Sequence, residues 1–171
     1  MIVVVLVLSI LLAPAAGVVP QQTHPAKQDP RIGKPAPPIK ADEWLPGQPT
    51  PEAKKGKVVM IDFWATWCGP CIAQFPTMKE WKTRFGDELV IIGMTSLEAQ
   101  TAEEVKGFLA KNKLPWPVAI EKEPVTHKAF GVEPLPHTVL IDRKGIVRTV
   151  HVGGKGFADL LPEIEKLVAE K

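Results

Sequence analysis

Cysteine is scarce in this chain of 171 residues, which contains only Cys68 and Cys71. A structural zinc site normally needs four nitrogen or sulfur ligands, and no second cysteine pair exists to complete one. The four histidines are scattered without the spacing of metal ligands: His24, His127, His137 and His151. A disulfide between two cysteines that close so short a loop would also add little stability. The sequence therefore predicts no metal site and favours a catalytic role for the pair.

An excess of charge of one sign is also lacking. The 21 basic and 19 acidic residues give a formal net charge of +2, and neither sign forms a long run. This pattern predicts no nucleic acid partner. With 45% apolar and 23% charged residues and no internal repeat, the composition is that of one globular domain.

The N-terminus has no Lys or Arg ahead of its apolar run, which reads IVVVLVLSILL at residues 2–12. Small residues that a signal peptidase accepts follow it. We expect residues 1–17 to be an export signal peptide or, if residues 2–19 are retained, a membrane anchor. No cysteine follows the run, which excludes a lipid-modified cysteine at that point. Either role places the protein in the periplasm or another extracytoplasmic compartment, where disulfides persist.

Proline is concentrated ahead of the expected domain, since nine of the 18 prolines lie between residues 20 and 51. Such a composition opposes helix and favours exposed, extended backbone, which predicts a tether over residues 18–30. Apolar residues enter from residue 31 onward at Ile32, Ile39, Trp44 and Leu45. They predict an extended addition to the edge of a domain that spans residues 31–171.

Buried strands alternate with helices from residue 58 onward. The run Val58–Trp64 has the pattern of a central strand buried on both faces. Helical spacing predicts a helix over Pro70–Phe85, with a kink at Pro76 and an end at Gly86. The later predicted elements are a strand at 89–94, a helix opened by a capping box at Thr101, a strand at 116–120, a short helix at 125–130, a hairpin of strands 138–141 and 146–152, and a closing helix from Leu160 to Val168. This order predicts an α/β fold with parallel strands and helical crossovers.

The cysteine pair lies at the junction of a predicted strand and helix. Cys68 begins the helix, where unpaired N–H groups and the helix dipole favour a thiolate, so we expect it to be the exposed nucleophile. Cys71 lies one turn later, where it can displace a mixed disulfide while staying buried. A pair of inert core cysteines is the plainer alternative.

Asp62 interrupts an otherwise apolar strand. An ionised carboxylate is costly in such a place unless it is paired or neutralised, which suggests a proton acceptor. The alternative is a strand-end carboxylate that reaches solvent or a backbone donor.

The segment from Asp62 to Cys71, DFWATWCGPC, closely resembles the active-site segment of thioredoxins and of their exported relatives in the cytochrome c maturation and peroxiredoxin-like branch. Residues 32–37 look like the opening of those relatives, and residues 130–132, 135–142 and Gly145 look like their later signature. The resemblance covers about residues 31–170. It implies a thioredoxin-like fold: a central mixed sheet flanked by helices, with an N-terminal extended or hairpin addition.

The resemblance also implies roles for individual residues. Asp62 would assist deprotonation of Cys71, and Pro136 would be a cis-proline beside the cysteine pair, although an ordinary trans proline is the simpler alternative. The implied substrate-binding residues are Trp67, Gly69, Pro70, Leu135 and Pro136. Trp64 could equally be plain core.

Three residues depart from the family's pattern. Gln74 stands where many exported relatives have a titratable Glu, and Pro134 replaces a glycine and should stiffen the substrate loop. His137 follows Pro136 where a small polar residue is common. We expect His137 to be an exposed loop histidine rather than a group near the cysteines.

The function expected from these residues is thiol-disulfide exchange with protein disulfide or dithiol substrates, without a cofactor. The Gly-Pro spacer lacks the histidine of strongly oxidising relatives, which favours a reductase fed by a membrane or thioredoxin-type electron donor. Contact with a membrane is expected only if the N-terminal segment is retained. The alternatives are a peroxiredoxin-like thiol peroxidase and a non-catalytic partner-binding module.

Overall fold

The structure, a computed structural model, describes residues 29–46, 49 and 54–170. The expected signal peptide or anchor and residues 18–28 of the expected tether lie outside these residues. The strands are β1 (Glu43–Leu45), β2 (Val58–Phe63), β3 (Leu89–Ser96), β4 (Val118–Glu121), β5 (His137–Ile141) and β6 (Val147–Val152). The helices are α1 (Gly69–Phe85), α2 (Ala102–Asn112), α3 (Val125–Ala129) and α4 (Leu161–Ala169), with 3-10 turns at Gly86–Glu88 and Phe157–Leu160. Within the described ranges, no helix has the length and apolar character needed to cross a membrane.

The strands form one mixed sheet in the order β1-β4-β3-β2-β5-β6. Strand β2 pairs parallel with β3 and antiparallel with β5, and β3 pairs parallel with β4. All six residues of β2 are buried, as its continuous apolar pattern predicted. The expected α/β architecture with a central mixed sheet is therefore confirmed.

Apolar cores cover both faces of the sheet. The first face carries α1, α2 and α4, whose contributions include Phe75, Val105 and Ile164. The second face packs around Phe63 and Phe130 and is covered partly by Ile32 and neighbouring residues of the N-terminal segment. A sheet buried on both sides in this way is typical of α/β domains.

The N-terminal segment crosses the second face from one edge of the sheet to the other. Near β6, Gly33 donates to the carbonyl of Val147 at 2.8 Å and Ala36 donates to that of Gly145 at 2.9 Å. At the other edge, β1 pairs antiparallel with β4. The expected extended addition is therefore present, with a three-residue strand as its ordered end.

The helices begin and end close to the predicted positions. Helix α1 continues through Pro76 and ends at Gly86, whose φ of +53° suits a residue without Cβ. Thr101 and Glu104 form the predicted capping box at the start of α2. Leu160 belongs to the 3-10 turn before α4 rather than to the helix itself.

Gly93 in β3 sits where the sheet meets two indole rings. A Cβ on this residue would come 3.0 Å from Nε1 of Trp64 and 3.1 Å from Cγ2 of Val118. Trp64 has little room to move because the rings of Phe75 and Phe108 lie 5.5 and 5.1 Å from it. The backbone at Gly93 therefore requires a residue with no side chain.

We predict that Gly93→Ala lowers the free energy of unfolding by about 1–3 kcal/mol because it overpacks this region. Gly107→Ala is the matched control: it lies exposed inside α2 and a Cβ there meets nothing within 4 Å. The control should raise stability by up to about 1 kcal/mol because Ala favours helix over Gly. Urea unfolding of both variants measures the difference, and equal changes would contradict the packing explanation.

Candidate redox site

The turn between β2 and α1 positions the cysteine pair. Cys68 is the N-cap residue of α1, and its Sγ accepts a hydrogen bond from the backbone N–H of Cys71 at 3.3 Å. The two residues are joined in a disulfide with a Cα–Cα distance of 5.3 Å. In the reduced protein, the same N–H group and the positive end of the helix dipole would stabilise a thiolate at Cys68.

The expected exposure of Cys68 is wrong for this disulfide-bonded form. Cys68 is 4% exposed and Cys71 is 0% exposed, because both pack into the core of the first face. Cys71 is thus buried as predicted. The exposed surface beside the pair belongs to Trp67, which is 60% exposed.

Gln100 holds the segment that leads into the cysteine pair. Its Oε1 accepts hydrogen bonds from the backbone N–H and the hydroxyl of Thr66, both at 2.8 Å. Its Nε2 donates to the carbonyl of Ser96 at 2.9 Å. Gln100 therefore ties the residue before Trp67 to the end of β3. No sequence motif marked this role.

Hydrogen bonds connect the loop before β5 to helix α1 by way of the residue that follows β6. The Leu135–Pro136 bond is cis, as the resemblance implied. The carbonyl of Pro136 accepts the N–H of Gly153 at 2.8 Å, and the carbonyl of Gly153 accepts Nε2 of Gln74 at 3.3 Å. A Cβ on Gly154 would lie 3.3 Å from Cβ of Pro70. The cis-proline, the start of α1 and the Gly153–Gly154 loop therefore meet at one place, and the sequence pattern had not indicated that loop.

Asp62 is a fully buried carboxylic acid on the face that carries the cysteines. Its strand neighbours Met60 and Trp64 belong to the first-face core together with Cys71. Burial raises the pKa of Asp62 to about 7, and a hydrogen bond from the hydroxyl of Thr138 at 3.2 Å lowers it in part. Its Oδ2 has no hydrogen-bond partner among the described residues. The alternative of a carboxylate that reaches solvent is therefore excluded, and Asp62 can hold a proton near neutral pH.

His137 is a buried histidine, and the expectation of an exposed loop residue is wrong. It is 2% exposed because it starts β5 directly opposite Phe63, with the two ring centroids 5.9 Å apart. Burial, followed by the positive charge of Arg31, lowers the pKa of His137 to about 4. Since Phe63 belongs to the second face, His137 lies on the face opposite Asp62.

A groove of about 390 Å³ opens beside the pair. Trp67 forms one part of its wall and Pro134 and Leu135 form another. The lining also includes Gln100 and His127, neither of which the motifs had indicated as a site residue. Predicted site residues from two distant parts of the chain thus border one concave surface.

No cluster of three or more potential metal-ligating residues occurs among residues 29–46, 49 and 54–170. The described residues thus place two disulfide-bonded sulfur atoms and a buried carboxyl on the same face of the sheet.

Comparison with known proteins relates this chain to thiol-disulfide proteins. The Redoxin family matches residues 31–164. The thiol-disulfide oxidoreductase ResA of Bacillus thuringiensis subsp. konkukian is 42% identical over 94 residues, which is 54% of this chain and 53% of ResA. The chain spans little more than half the length of the curated relatives it matches first.

Solved structures show the same fold. A crystal structure described as a thiol:disulfide interchange protein DsbE from Chlorobium tepidum has a TM-score of 0.72 and 31% identity, covering 81% of this chain and 98% of that chain. The thioredoxin-like superfamily protein SPOA0173 has a TM-score of 0.71 and 24% identity, covering 80% of this chain and 97% of that chain. The thioredoxin-like fold is thereby confirmed.

Asp62 should make the stability of the disulfide-bonded protein depend on pH. Its pKa rises from 3.8 to about 7 on folding, so the folded state binds the proton more tightly than the unfolded chain. Ionisation of Asp62 therefore costs stability as the pH rises from about 4 through 7. We therefore compare the free energy of unfolding of Asp62→Asn with that of the wild type. We predict that this difference shifts in favour of the variant by up to roughly 4 kcal/mol between pH 4 and pH 8.

Urea unfolding of both proteins across pH 4–8 measures this gain. Thr138→Val serves as the companion variant: it removes the hydrogen bond that lowers the pKa of Asp62, so the pH-dependent loss should begin at the same pH and extend to higher pH. A constant difference between Asp62→Asn and the wild type at every pH would show that Asp62 does not titrate in this range.

Proposed function

The chain belongs to the Redoxin family, and on that basis we propose that it is a thiol-disulfide oxidoreductase that exchanges the Cys68–Cys71 disulfide with protein partners. The observation that carries the proposal is the disulfide itself, formed by the only two cysteines of the chain at the N-terminus of α1. The similarity to ResA and to the DsbE structure supports it.

The proposed reaction uses the two sulfur atoms in sequence. In the reduced protein, the thiolate of Cys68 attacks one sulfur of a substrate disulfide, a mixed disulfide forms, and the other substrate sulfur leaves as a thiolate. Cys71 then loses its proton, and its thiolate attacks Sγ of Cys68. The bond between Cys68 and the substrate breaks, the second substrate thiolate leaves, and the internal disulfide forms.

Asp62 is proposed as the acceptor of the Cys71 proton. It shares the first face of the sheet with Cys71, and burial raises the pKa of its carboxyl to about 7. An acceptor with such a pKa can both take and release a proton near neutral pH. When the dithiol is regenerated, the proton returns from Asp62 to Cys71.

The substrate is proposed to lie across the surface formed by Trp67, Gly69, Pro70, Leu135 and Pro136. Trp67 supplies the exposed aromatic area. The backbone of Leu135 makes no hydrogen bond to another backbone group within the described ranges, so its N–H and carbonyl are free to pair with an extended chain. A polypeptide rather than a small molecule therefore suits this surface.

We further propose that the protein acts as a reductase outside the cytoplasm, supplied by a membrane or thioredoxin-type electron donor. The proposal is supported by the apolar residues 2–12 and by the Gly-Pro spacer between the cysteines. Retention of residues 2–19 would hold the domain at the membrane surface.

We predict that the dithiol form reduces insulin disulfides and that Cys68→Ser lowers turnover by roughly 10³-fold or more, since it removes the nucleophile. Cys71→Ser should also stop turnover, and it should retain mixed disulfides at Cys68 because the resolving thiol is missing. Insulin turbidity measures turnover, and non-reducing gels with mass spectrometry identify the trapped partners.

Turnover by Cys68→Ser would contradict the assignment. Peroxide consumption without insulin reduction would indicate a peroxidase, and neither activity would indicate a binding module.

The proposed direction of electron flow predicts a low reduction potential. Equilibration with glutathione buffers should give a value near that of thioredoxin, about −270 mV. Alkylation of the free thiols followed by mass spectrometry measures the fraction reduced at each buffer ratio. A value near about −120 mV, which is typical of a strong oxidant, would overturn the reductase proposal.

A further inference from the structure

A buried carboxylate and a histidine form a pair that the proposed reaction does not use. Glu121, the last residue of β4, is 2% exposed. Its Oε2 accepts the backbone N–H of Thr126 at 2.7 Å, and its Oε1 accepts the backbone N–H of His127 at 3.0 Å. Oε1 also contacts the ring Nδ1 of His127 at 2.5 Å. Both carboxyl oxygens of Glu121 thus contact groups of the short helix α3.

These contacts fix the orientation of the His127 ring. Nδ1 points at the carboxylate, which in the neutral ring places the proton on Nδ1 and leaves the lone pair on Nε2. The ring of Phe63 packs edge-on against the imidazole, with centroids 4.9 Å apart and planes at 74°. The imidazole is therefore held from two sides. Nε2 makes no hydrogen bond to any described residue, and it is not one of the fully buried unpartnered atoms.

The exposed part of His127 belongs to the groove beside the cysteines. Its side chain is 11% exposed, and the residue lines the groove together with Trp67 and Leu135. Glu98, Lys128 and Glu133 also line the groove, but all three are exposed and solvated. Gln100 also lines the groove, but its amide already binds Thr66 and Ser96. His127 differs because its Nε2 is not used by any described residue.

We propose that His127, oriented by Glu121, is a specificity-determining residue of the substrate groove: its Nε2 accepts a hydrogen bond from an N–H group of an extended polypeptide substrate. The inference rests on the proposed function. The occupant is a polypeptide because the groove is continuous with Trp67, next to the proposed nucleophile, and with Leu135, whose backbone pairs with no other backbone group in the described part of the chain. A chain paired with Leu135 can extend along the wall to His127. Glu121 is a positioning residue that does not touch the substrate.

Two substitutions of His127 separate the two ring nitrogens. In His127→Asn, the side-chain amide nitrogen takes the place of Nδ1 and can still donate to Glu121, but nothing remains at the position of Nε2. In His127→Gln, the amide reaches the position of Nε2 and can still accept from the substrate. The pair therefore tests the groove nitrogen rather than the presence of a histidine.

The experiment compares insulin with 5,5′-dithiobis(2-nitrobenzoic acid), a small disulfide that cannot occupy the length of the groove. For His127→Asn we expect the KM for insulin to rise by about 5- to 10-fold, with kcat and the rate with the small disulfide unchanged. His127→Gln should raise the KM by less. An insulin KM equal to that of the wild type, an equal loss with both disulfides, or a larger loss in His127→Gln would overturn the inference.

A second measurement on the unmodified protein does not depend on whether the variants fold. Long-range ¹H–¹⁵N spectra distinguish the two neutral tautomers of an imidazole. We expect His127 to carry its proton on Nδ1, and a proton on Nε2 in the neutral ring would overturn the inference. If the wild type reduced neither disulfide, the proposed oxidoreductase function would fail, an outcome distinct from an active enzyme that is indifferent to His127→Asn.

Discussion

The burial of β2 on both of its faces is the constraint on which the rest of the structure depends. A strand with no solvent-facing side must lie inside the sheet, and its partners β3 and β5 follow from that position. The same burial encloses Asp62 and raises the pKa of its carboxyl to about 7. The turn that follows β2 then places Cys68 at the N-cap of α1. The proposed proton acceptor and the proposed nucleophile thus both depend on the placement of one strand.

Much of this arrangement could be predicted because it depends on short-range patterns. The apolar run of β2, the capping box at Thr101 and the Cys-Gly-Pro-Cys turn each determine local structure through residues close in sequence. The nearly continuous apolar run of β2 also indicated that the carboxyl of Asp62 is buried. The cis bond at Pro136 came from the family resemblance, since proline alone permits either isomer.

The features that could not be predicted depend on contacts between distant parts of the chain. His137 is buried because the register of β5 against β2 sets it opposite Phe63, and one sequence does not reveal that register. The contact between Gln74 and Gly153 joins residues 79 positions apart. The pairing of Glu121 with His127 is local in sequence. Its proposed role in substrate binding, however, depends on a groove that Trp67 and Leu135 also line.

The N-terminal segment that crosses the second face has a consequence for self-association. The outer strands of an open sheet carry unpaired N–H and carbonyl groups that can recruit a strand from another molecule. Here Gly33 and Ala36 use backbone groups at the β6 edge, and the three-residue strand β1 covers β4 on the other side. The chain's own backbone therefore occupies the start of the β6 edge and the outer side of β4. Where this segment pairs, the edge of the sheet keeps fewer free backbone groups for a strand of another molecule.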